Sequence, residues 1–272
     1  MTPEELTRLK QTELEILLTF DAFCREHSLV YYLIGGALLG SARYDGFIPW
    51  DDDIDVAMPR EAYEQLQVLW TTHAPDGYFL QSGKTDPRFS RCILKLRREG
   101  THIKEKICAH IPMHDGIYID IFPIDYVPDC SAAYLARRAA KIRRLMSLRT
   151  IRNGYGGNHA FLKKLVRLAI LPVSNRSLDR KIDRLCTKDN AGDRKYAILF
   201  LHNYSWDRQI HKLSVLGTGT EYRFEGHIFF GPDDRAEFLS RVFGPDYLQE
   251  PPKEKQKNPH HYLSVQFDEQ ML

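Results

Sequence analysis

The chain has 272 residues, 43% hydrophobic and 27% charged, with 38 Lys/Arg against 36 Asp/Glu and a formal net charge of +2. This is the balance of an ordinary globular protein long enough to bury a sizeable core, and no apolar run reaches the roughly 18 to 20 residues that a membrane-spanning helix needs. Five scattered cysteines (Cys24, Cys92, Cys108, Cys130, Cys186) form no CxxC pair, which argues against a disulfide framework or a structural zinc site and fits a reducing cytoplasm.

Thr2, Pro3, Glu4 and Glu5 read as an N-cap, a first-turn proline and dipole-favoured acids. Leu6, Leu9, Ile16, Phe20 and Phe23 recur at helical spacing, predicting a first helix to about Glu26. This start differs from the basic opening and short apolar centre of a signal peptide. "LVYYLIGG" reads as a buried strand ending in glycines, "ALLGSARY" as a short helix and "DIDVAM" as a strand. Pro59 opens a further helix with Tyr63, Leu66 and Trp70 on one face. Strands are expected at "RCILKLRR" and "GIYIDIF".

From Ala132 to Lys188 the pattern turns helical and basic, interrupted by the glycine-rich "NGYGGN". Between Ser131 and Lys188, 15 Lys/Arg face only Asp179 and Asp183, leaving this segment at about +13 and the rest of the chain at about −11. Such polarity points to one face meeting an anionic partner and another holding cations. A strand at "EGHIFF", a helix at "DDRAEFLSRVFG" and an irregular basic tail, "PPKEKQKNPHHY", complete the chain. The expected class is α+β: a small mixed sheet flanked by helices with a basic helical insertion. Residues 1–130 and 191–272 would make the catalytic unit and 131–190 the basic segment.

Four aspartates, Asp51, Asp52, Asp53 and Asp55, stand within five residues. Carboxylates this close resist ionising together unless a cation sits among them. Alternation along a strand points Asp53 and Asp55 one way, and Ile54, Val56 and Met58 the other, into a core. In "GIYIDIFPID", Asp120 is a lone acid in an apolar strand, costly to bury without a partner. If the two strands are neighbours, Asp53, Asp55 and Asp120 converge on an oxygen-only site suited to Mg²⁺ or Mn²⁺. A solvated turn is the plainer alternative. An EF-hand is excluded, because Val56 and Ala62 stand where that loop needs glycine and glutamate.

Gly35 and Gly36, between strand and helix, would let backbone amides approach a phosphate, although no GK[ST] follows as in a Walker A loop. Arg43, Lys95 and Arg97 are candidate diphosphate ligands, each equally readable as a surface cation. His114 and Asp115 read as turn or capping residues, and Lys253, Lys255 and Lys257 as a solvated charge run. His260 and His261, lacking cysteine partners, are not read as a metal site.

The order of hydrophobic strand, Gly-Gly, short helix, Asp-x-Asp strand and later strand carboxylate resembles the nucleotidyltransferase superfamily. More closely, "GGALLGSARYDGFIPWDDDIDV", "GIYIDIFPID" and "FGPDYLQEPP" resemble the LicD family of phosphotransferases, over most of the chain except the basic helices. The resemblance implies metal-dependent transfer of phosphocholine, or a related phospho-alcohol, from a CDP-activated donor such as CDP-choline to a hydroxyl of a surface glycan, a teichoic acid or a lipopolysaccharide precursor, with release of CMP. By motif it makes Asp53, Asp55 and Asp120 the metal ligands and catalytic carboxylates, with Asp120 the candidate base. Asp51 becomes an additional or supporting ligand, and two Mg²⁺ or Mn²⁺ ions are expected. If choline is the alcohol, its quaternary ammonium needs aromatic faces. Trp50, Tyr44, Phe47 and Tyr118 are the candidates, with Trp206 a further neighbour.

The basic helices are expected either at the inner leaflet, meeting anionic lipid and a lipid-linked acceptor, or simply packed on the core. No nucleic-acid-binding module is recognised. Rival functions are a nucleotidyltransferase moving NMP onto a small acceptor, and a catalytically silent nucleotide- or choline-binding module.

Overall fold

The computed structural model describes residues 1–89, 91–154, 160–258 and 260–268. Residues 155–158 of the expected glycine-rich break, and Pro259 in the tail, lie outside the described residues. In chain order the elements are α1 (Pro3–Glu26), β1 (Tyr32–Ile34), α2 (Gly35–Tyr44), β2 (Asp55–Pro59), α3 (Arg60–His73), β3 (Tyr78–Gln81), β4 (Leu94–Arg98), β5 (His102–Glu105) and β6 (Tyr118–Val127). There follow α4 (Ala132–Arg152), α5 (Ala160–Ile170), α6 (Asn175–Cys186), β7 (Tyr196–Ile198), β8 (Ile210–Lys212), α7 (Leu213–Leu216), β9 (Thr220–Phe224), β10 (His227–Gly231), α8 (Arg235–Phe243) and β11 (Tyr262–Gln266). Mixed sheet and flanking helices make the fold α+β, as expected.

The central sheet runs β1-β2-β6-β4-β3. β2 and β6 are parallel and the other pairs in this row antiparallel. β6 is long enough to change partners: it bonds β4 as far as Ile121, then β7 over Asp125–Val127, and β7 in turn bonds β8. Ile54, Val56, Ala57 and Met58 are fully buried, as are Ile117, Ile119, Ile121 and Ile124. The alternation read from the sequence is thus the alternation of the sheet.

α1 begins with a capping box: Thr2 Oγ1 accepts from Glu5 N and Glu5 Oε2 accepts from Thr2 N. Its apolar side, Leu9, Ile16, Leu17 and Phe20, is buried. The strand expected at "LVYYLIGG" is only three residues long. Gly35 adopts φ +56°, open to glycine at little cost, and turns the chain straight from β1 into α2. Strands β3, β5, β7, β8, β9 and β11 carry no sequence signal strong enough to have been expected. All are short, and most pair at an edge or in a hairpin.

The basic helices are anchored from inside. α4 and α6 bury Leu135, Ala139, Ile142, Leu178, Ile182 and Cys186. Arg138 donates to Asp189 at 2.5 Å and to the Leu185 and Cys186 carbonyls. Arg149, fully buried, donates to Asp179 at 2.7 Å and to the Phe89 carbonyl. Part of the positive charge is therefore spent on internal partners. No helix among the described residues is long and apolar enough to cross a membrane, and all five cysteines are unpaired.

The start of α3 is locked to β6 by a fully buried Asp125, which receives Arg60 Nε at 2.8 Å, an Arg60 terminal nitrogen at 2.7 Å and Asn190 Nδ2 at 2.9 Å. Removing the guanidinium strands a buried carboxylate, which costs about 3 to 5 kcal/mol. We expect Arg60→Met to lower the unfolding free energy by about that much in urea titrations. Lys195→Met, at a 56% exposed side chain paired with Asp193, should change it by less than about 1 kcal/mol.

Candidate functional site

The sheet register assembles the site. Ile34 pairs with Asp55, Asp55 with Asp120, and Asp120 with Lys95. Directly paired residues project to the same face, so these side chains form one row across four neighbouring strands, with Asp55, Asp120 and Lys95 on β2, β6 and β4. Asp120 N also donates to the Ile54 carbonyl at 2.9 Å. Asp53 lies just ahead of β2, and the charges of Asp55, Asp51, Asp52 and Asp120 all act on it. The structure thus brings Asp53, Asp55 and Asp120 together, with Asp51 and Asp52 beside them.

The loop carrying the aspartates is held from two sides. Lys10 of α1 donates to the Ile48 and Pro49 carbonyls at 2.9 and 3.0 Å. The β9–β10 hairpin offers Glu225, whose Oε1 accepts from Phe47 N at 2.9 Å. Gly35 and Gly36 serve this cluster too. A Cβ at Gly35 would stand 2.8 Å from Asp55 Oδ2, and one at Gly36 would collide with Asp51 Oδ2. The close approach these glycines permit is therefore to the carboxylates themselves, at the first turn of α2.

Electrostatically the cluster is strained. Burial, then the charges of Asp52 and Asp55, push Asp51 up to about 6. Burial, then Asp55 and Asp51, raise Asp53 well above the usual carboxylate range. Glu13 of α1 is 2% exposed and raised well above its usual value by burial, then by Asp53, Asp52 and Asp51. Asp52 Oδ2 and Glu13 Oε2 are buried with neither a hydrogen bond nor an ion pair, and buried Asp120 Oδ1 has only its ion pair with Lys95. A crowd of carboxylates with unmet oxygen atoms fits a divalent cation. Asp53, Asp55 and Asp120 supply the hard oxygen donors that Mg²⁺ or Mn²⁺ takes.

Of the candidate cations, only Lys95 reaches the cluster. It is 2% exposed, its Nζ 2.8 Å from Asp120 Oδ1 and 3.0 Å from the centroid of the Tyr118 ring. Arg97 is buried with its guanidinium 4.8 Å from the centroid of the same ring, and it donates to Gln81 Oε1 at 2.6 Å and to the Gly116 carbonyl. It fixes the entry to β6 instead of facing substrate. Arg43 sits eight residues into α2, about 12 Å from the glycine turn at 1.5 Å per residue. Its guanidinium holds the Tyr247 carbonyl and, at 2.6 Å, the Gln249 carbonyl. It clamps "FGPDYLQEPP" to the core, away from the aspartates.

The aromatic candidates divide in the same way. Phe47 is buried against Phe224, ring centroids 4.9 Å apart. Tyr118 has Lys95 over its face and donates to Glu105 Oε1 at 3.0 Å. Tyr44 donates to Glu250 Oε1 at 2.7 Å, on the Arg43 clamp. None of the three offers a free face at the cluster. Trp50 is half-buried beside Asp51, and Trp206 lies in a short 3-10 turn. His114 stacks on Phe79 and accepts from Gly116 N, Asp115 pairs with His102, and Lys253, Lys255 and Lys257 are exposed. These are the turn and solvated roles expected of them.

Three residues at the site escaped sequence reasoning. His202, following β7, is 6% exposed with Nε2 3.7 Å from Asp55 Oδ2. Tyr204 stacks on His202, centroids 5.0 Å apart, and feels the charges of Asp55, Asp51 and Asp53. His260 places Nδ1 2.8 Å from Asp52 Oδ1 and Nε2 3.9 Å from Asp53 Oδ2. The expectation that His260 stands apart from any metal-binding constellation is corrected: its partners are aspartates, not cysteines. Pairing of β11 with β5, and Lys106 N donating to the His261 carbonyl at 2.9 Å, bring it there.

Residues 28–132 match the family model for the LicD/FKTN/FKRP nucleotidyltransferase domain. This stretch contains the glycine turn, the aspartate loop, Lys95 and Asp120. Over this stretch the chain is similar to that family's domain. Lipopolysaccharide cholinephosphotransferase LicD of Haemophilus influenzae is 29% identical over 258 residues, covering 91% of this chain and 92% of that protein.

An acid raised in the folded state binds more protons folded than unfolded between its two pKa values, so stability falls as pH rises through that window. For Asp51 the window runs from 3.8 to about 6, a loss of order 3 kcal/mol by neutral pH. In chelator, the melting temperature should therefore fall across pH 4 to 6.5 for this contribution, and Asp51→Asn should be more stable than wild type at pH 7.5. Mg²⁺ should shrink the difference. A variant less stable than wild type in chelator at pH 7.5 would contradict this account of the cluster.

Proposed function

We propose that the chain is a divalent-metal-dependent transferase. It moves phosphocholine, or a related phospho-alcohol, from a CDP-activated donor to a hydroxyl of a lipopolysaccharide or similar glycan and releases CMP. The observation that carries this reading is the row Asp55–Asp120–Lys95 with Asp53 beside it at the first turn of α2. Support comes from likeness along 91% of the chain to a lipopolysaccharide cholinephosphotransferase.

Asp53, Asp55 and Asp120 would hold one or two Mg²⁺ or Mn²⁺ ions, which neutralise the diphosphate and polarise its P–O bonds. The acceptor oxygen forms the new P–O bond as the in-line bond to CMP breaks. Asp120 is the proposed acceptor of the hydroxyl proton. As it takes that proton its ion pair with Lys95 weakens, leaving the ammonium to meet a phosphate oxygen. Trp50 and Tyr204 are the aromatic faces that would receive a quaternary ammonium, attracted by the ring quadrupole.

The acceptor's setting is read from α5. Leu165, Leu168 and Leu171 are 48%, 56% and 52% exposed beside exposed Lys164 and Arg167. No acid occurs between Ser131 and Leu178. Apolar side chains set among cations are what an anionic bilayer surface binds, so we place the enzyme peripherally on the inner face of the membrane, at a lipid-linked acceptor.

Incubation with a panel of CDP-alcohols, Mg²⁺ and lipopolysaccharide should release CMP fastest with CDP-choline. Asp53→Asn, Asp55→Asn and Asp120→Asn should each lower the rate by about 100-fold or more. Pyrophosphate release from CTP in place of CMP release would make the chain an NMP transferase, and an unimpaired Asp55→Asn variant would leave only a binding module.

A further inference from the structure

We propose that His260 Nε2 is a metal ligand, the nitrogen donor of a second cation position that shares Asp53, and that Asp52 is the positioning residue that orients it. The inference rests on Asp53 being a metal ligand, as proposed above, and adds a residue from a part of the chain that the aspartate motifs do not touch.

The tautomer decides it. An ionised carboxylate can only accept, so the 2.8 Å contact between His260 Nδ1 and Asp52 Oδ1 puts a ring proton on Nδ1, and in the neutral imidazole that a cation selects the lone pair is on Nε2. Nε2 then faces Asp53 Oδ2 at 3.9 Å, too far for a hydrogen bond. Two donors each about 2.1 Å from one ion stand at most about 4.2 Å apart, so the spacing suits a shared cation. A carboxylate behind a ligating imidazole is the usual outer support of such a ligand. One oxygen each of Asp52 and Asp53 and one ring nitrogen of His260 lie within 4.8 Å of one another.

His202 provides the contrast. It lies as close to Asp55, at 3.7 Å, but its Nδ1 accepts from Tyr204 N at 3.2 Å. In the neutral ring the proton is therefore on Nε2, which leaves His202 no lone pair to offer a cation beside Asp55. The second, independent sign of a ligand lies underneath. Asp52 is fully buried with Oδ2 unpartnered, and Glu13, 2% exposed, has Oε2 unpartnered within reach of the charges of Asp53, Asp52 and Asp51.

The chemistry follows from the donors. Asp53, Asp55 and Asp120 offer only oxygen and suit Mg²⁺. A site with imidazole selects Mn²⁺, Co²⁺ or Zn²⁺ over Mg²⁺. Because His260 stands two residues ahead of β11, a cation there also fastens the C-terminal strap to the aspartate loop.

Mn²⁺ alone, without nucleotide, is the probe. Bound Mn²⁺ is counted by the loss of the free-ion EPR signal, and a directly ligated imidazole is detected by ¹⁴N modulation in pulsed EPR. We expect ¹⁴N modulation in wild type and in His202→Ala, and its loss in His260→Ala and His260→Gln. The affinity of one ion should weaken by at least about 10-fold in these variants, and Asp52→Ala should weaken the same ion by about 10- to 100-fold. Circular dichroism confirms folding, with the glutamine variant standing in should alanine misfold. Mn²⁺ bound by wild type without ¹⁴N modulation, or modulation that persists in both His260 variants, overturns the proposal and leaves the oxygen site intact. Wild type binding no Mn²⁺ overturns both.

Discussion

The crowding of like charge at the head of β2 is the constraint on which the rest of the structure depends. Asp51, Asp52, Asp53 and Asp55 come from one short stretch, and the parallel pairing of β2 with β6 adds Asp120 at the position level with Asp55. Inside a protein each of these charges is costly unless it is paired. The fold supplies partial relief from several directions: Lys95 to Asp120, His260 to Asp52, and Lys10 to the loop backbone. What it withholds is full neutralisation, since Asp51 and Asp53 remain raised and Asp52 Oδ2 remains unpartnered. A structural ion-pair network would close that gap with another arginine, whereas a cation-binding site leaves it open.

Neighbouring features become intelligible as means of holding that arrangement. The glycine pair is a space requirement, because any side chain at Gly35 or Gly36 would occupy the volume of an aspartate carboxylate. The β9–β10 hairpin is a brace: Glu225 caps Phe47 N, and Arg223 offers its carbonyl to Ser41. Arg43 works at one remove. By gripping the carbonyls of Tyr247 and Gln249 it sets where the chain starts its return toward Asp52.

Much of this was legible in the sequence because it is local. Period-two alternation in "DIDVAM" and "GIYIDIF" fixed which residues face the core, and an acid amid isoleucines marked Asp120 as needing a partner. The first helix, its cap and the buried face of α3 followed from spacing alone. What stayed hidden depends on long-range pairing. Nothing near His260 or His202 marks them as neighbours of residues some 150 to 200 positions earlier; β11 against β5, and β7 against β6, put them there. An Asp52 that alternation turns away from Asp53 and Asp55 was the one available hint that a partner must come from elsewhere. Arg43 and Arg97 were misread for the opposite reason. Closeness in sequence to the motif stood in for direction, yet Arg43 lies at the far end of α2 and the Arg97 guanidinium is held by Gln81 and the Gly116 carbonyl.

The same physics explains why the C-terminal strap belongs to the site though it shares no motif with it. An aspartate loop that repels itself gains most from whatever positive or ligating group closes over it last. β11 is short, bonded to a short edge strand and bulged between Tyr262 and Ser264, so backbone pairing alone holds it weakly. The contact that adds to that pairing is His260 on Asp52, worth more as the aspartates bear more charge. Strap and aspartates therefore stabilise each other: the loop gives the strap its anchor, and the strap gives the loop a donor and shields it from water. With the His260 ligation proposed above, a cation would join strap and loop directly, and cation binding and strap docking would then favour each other.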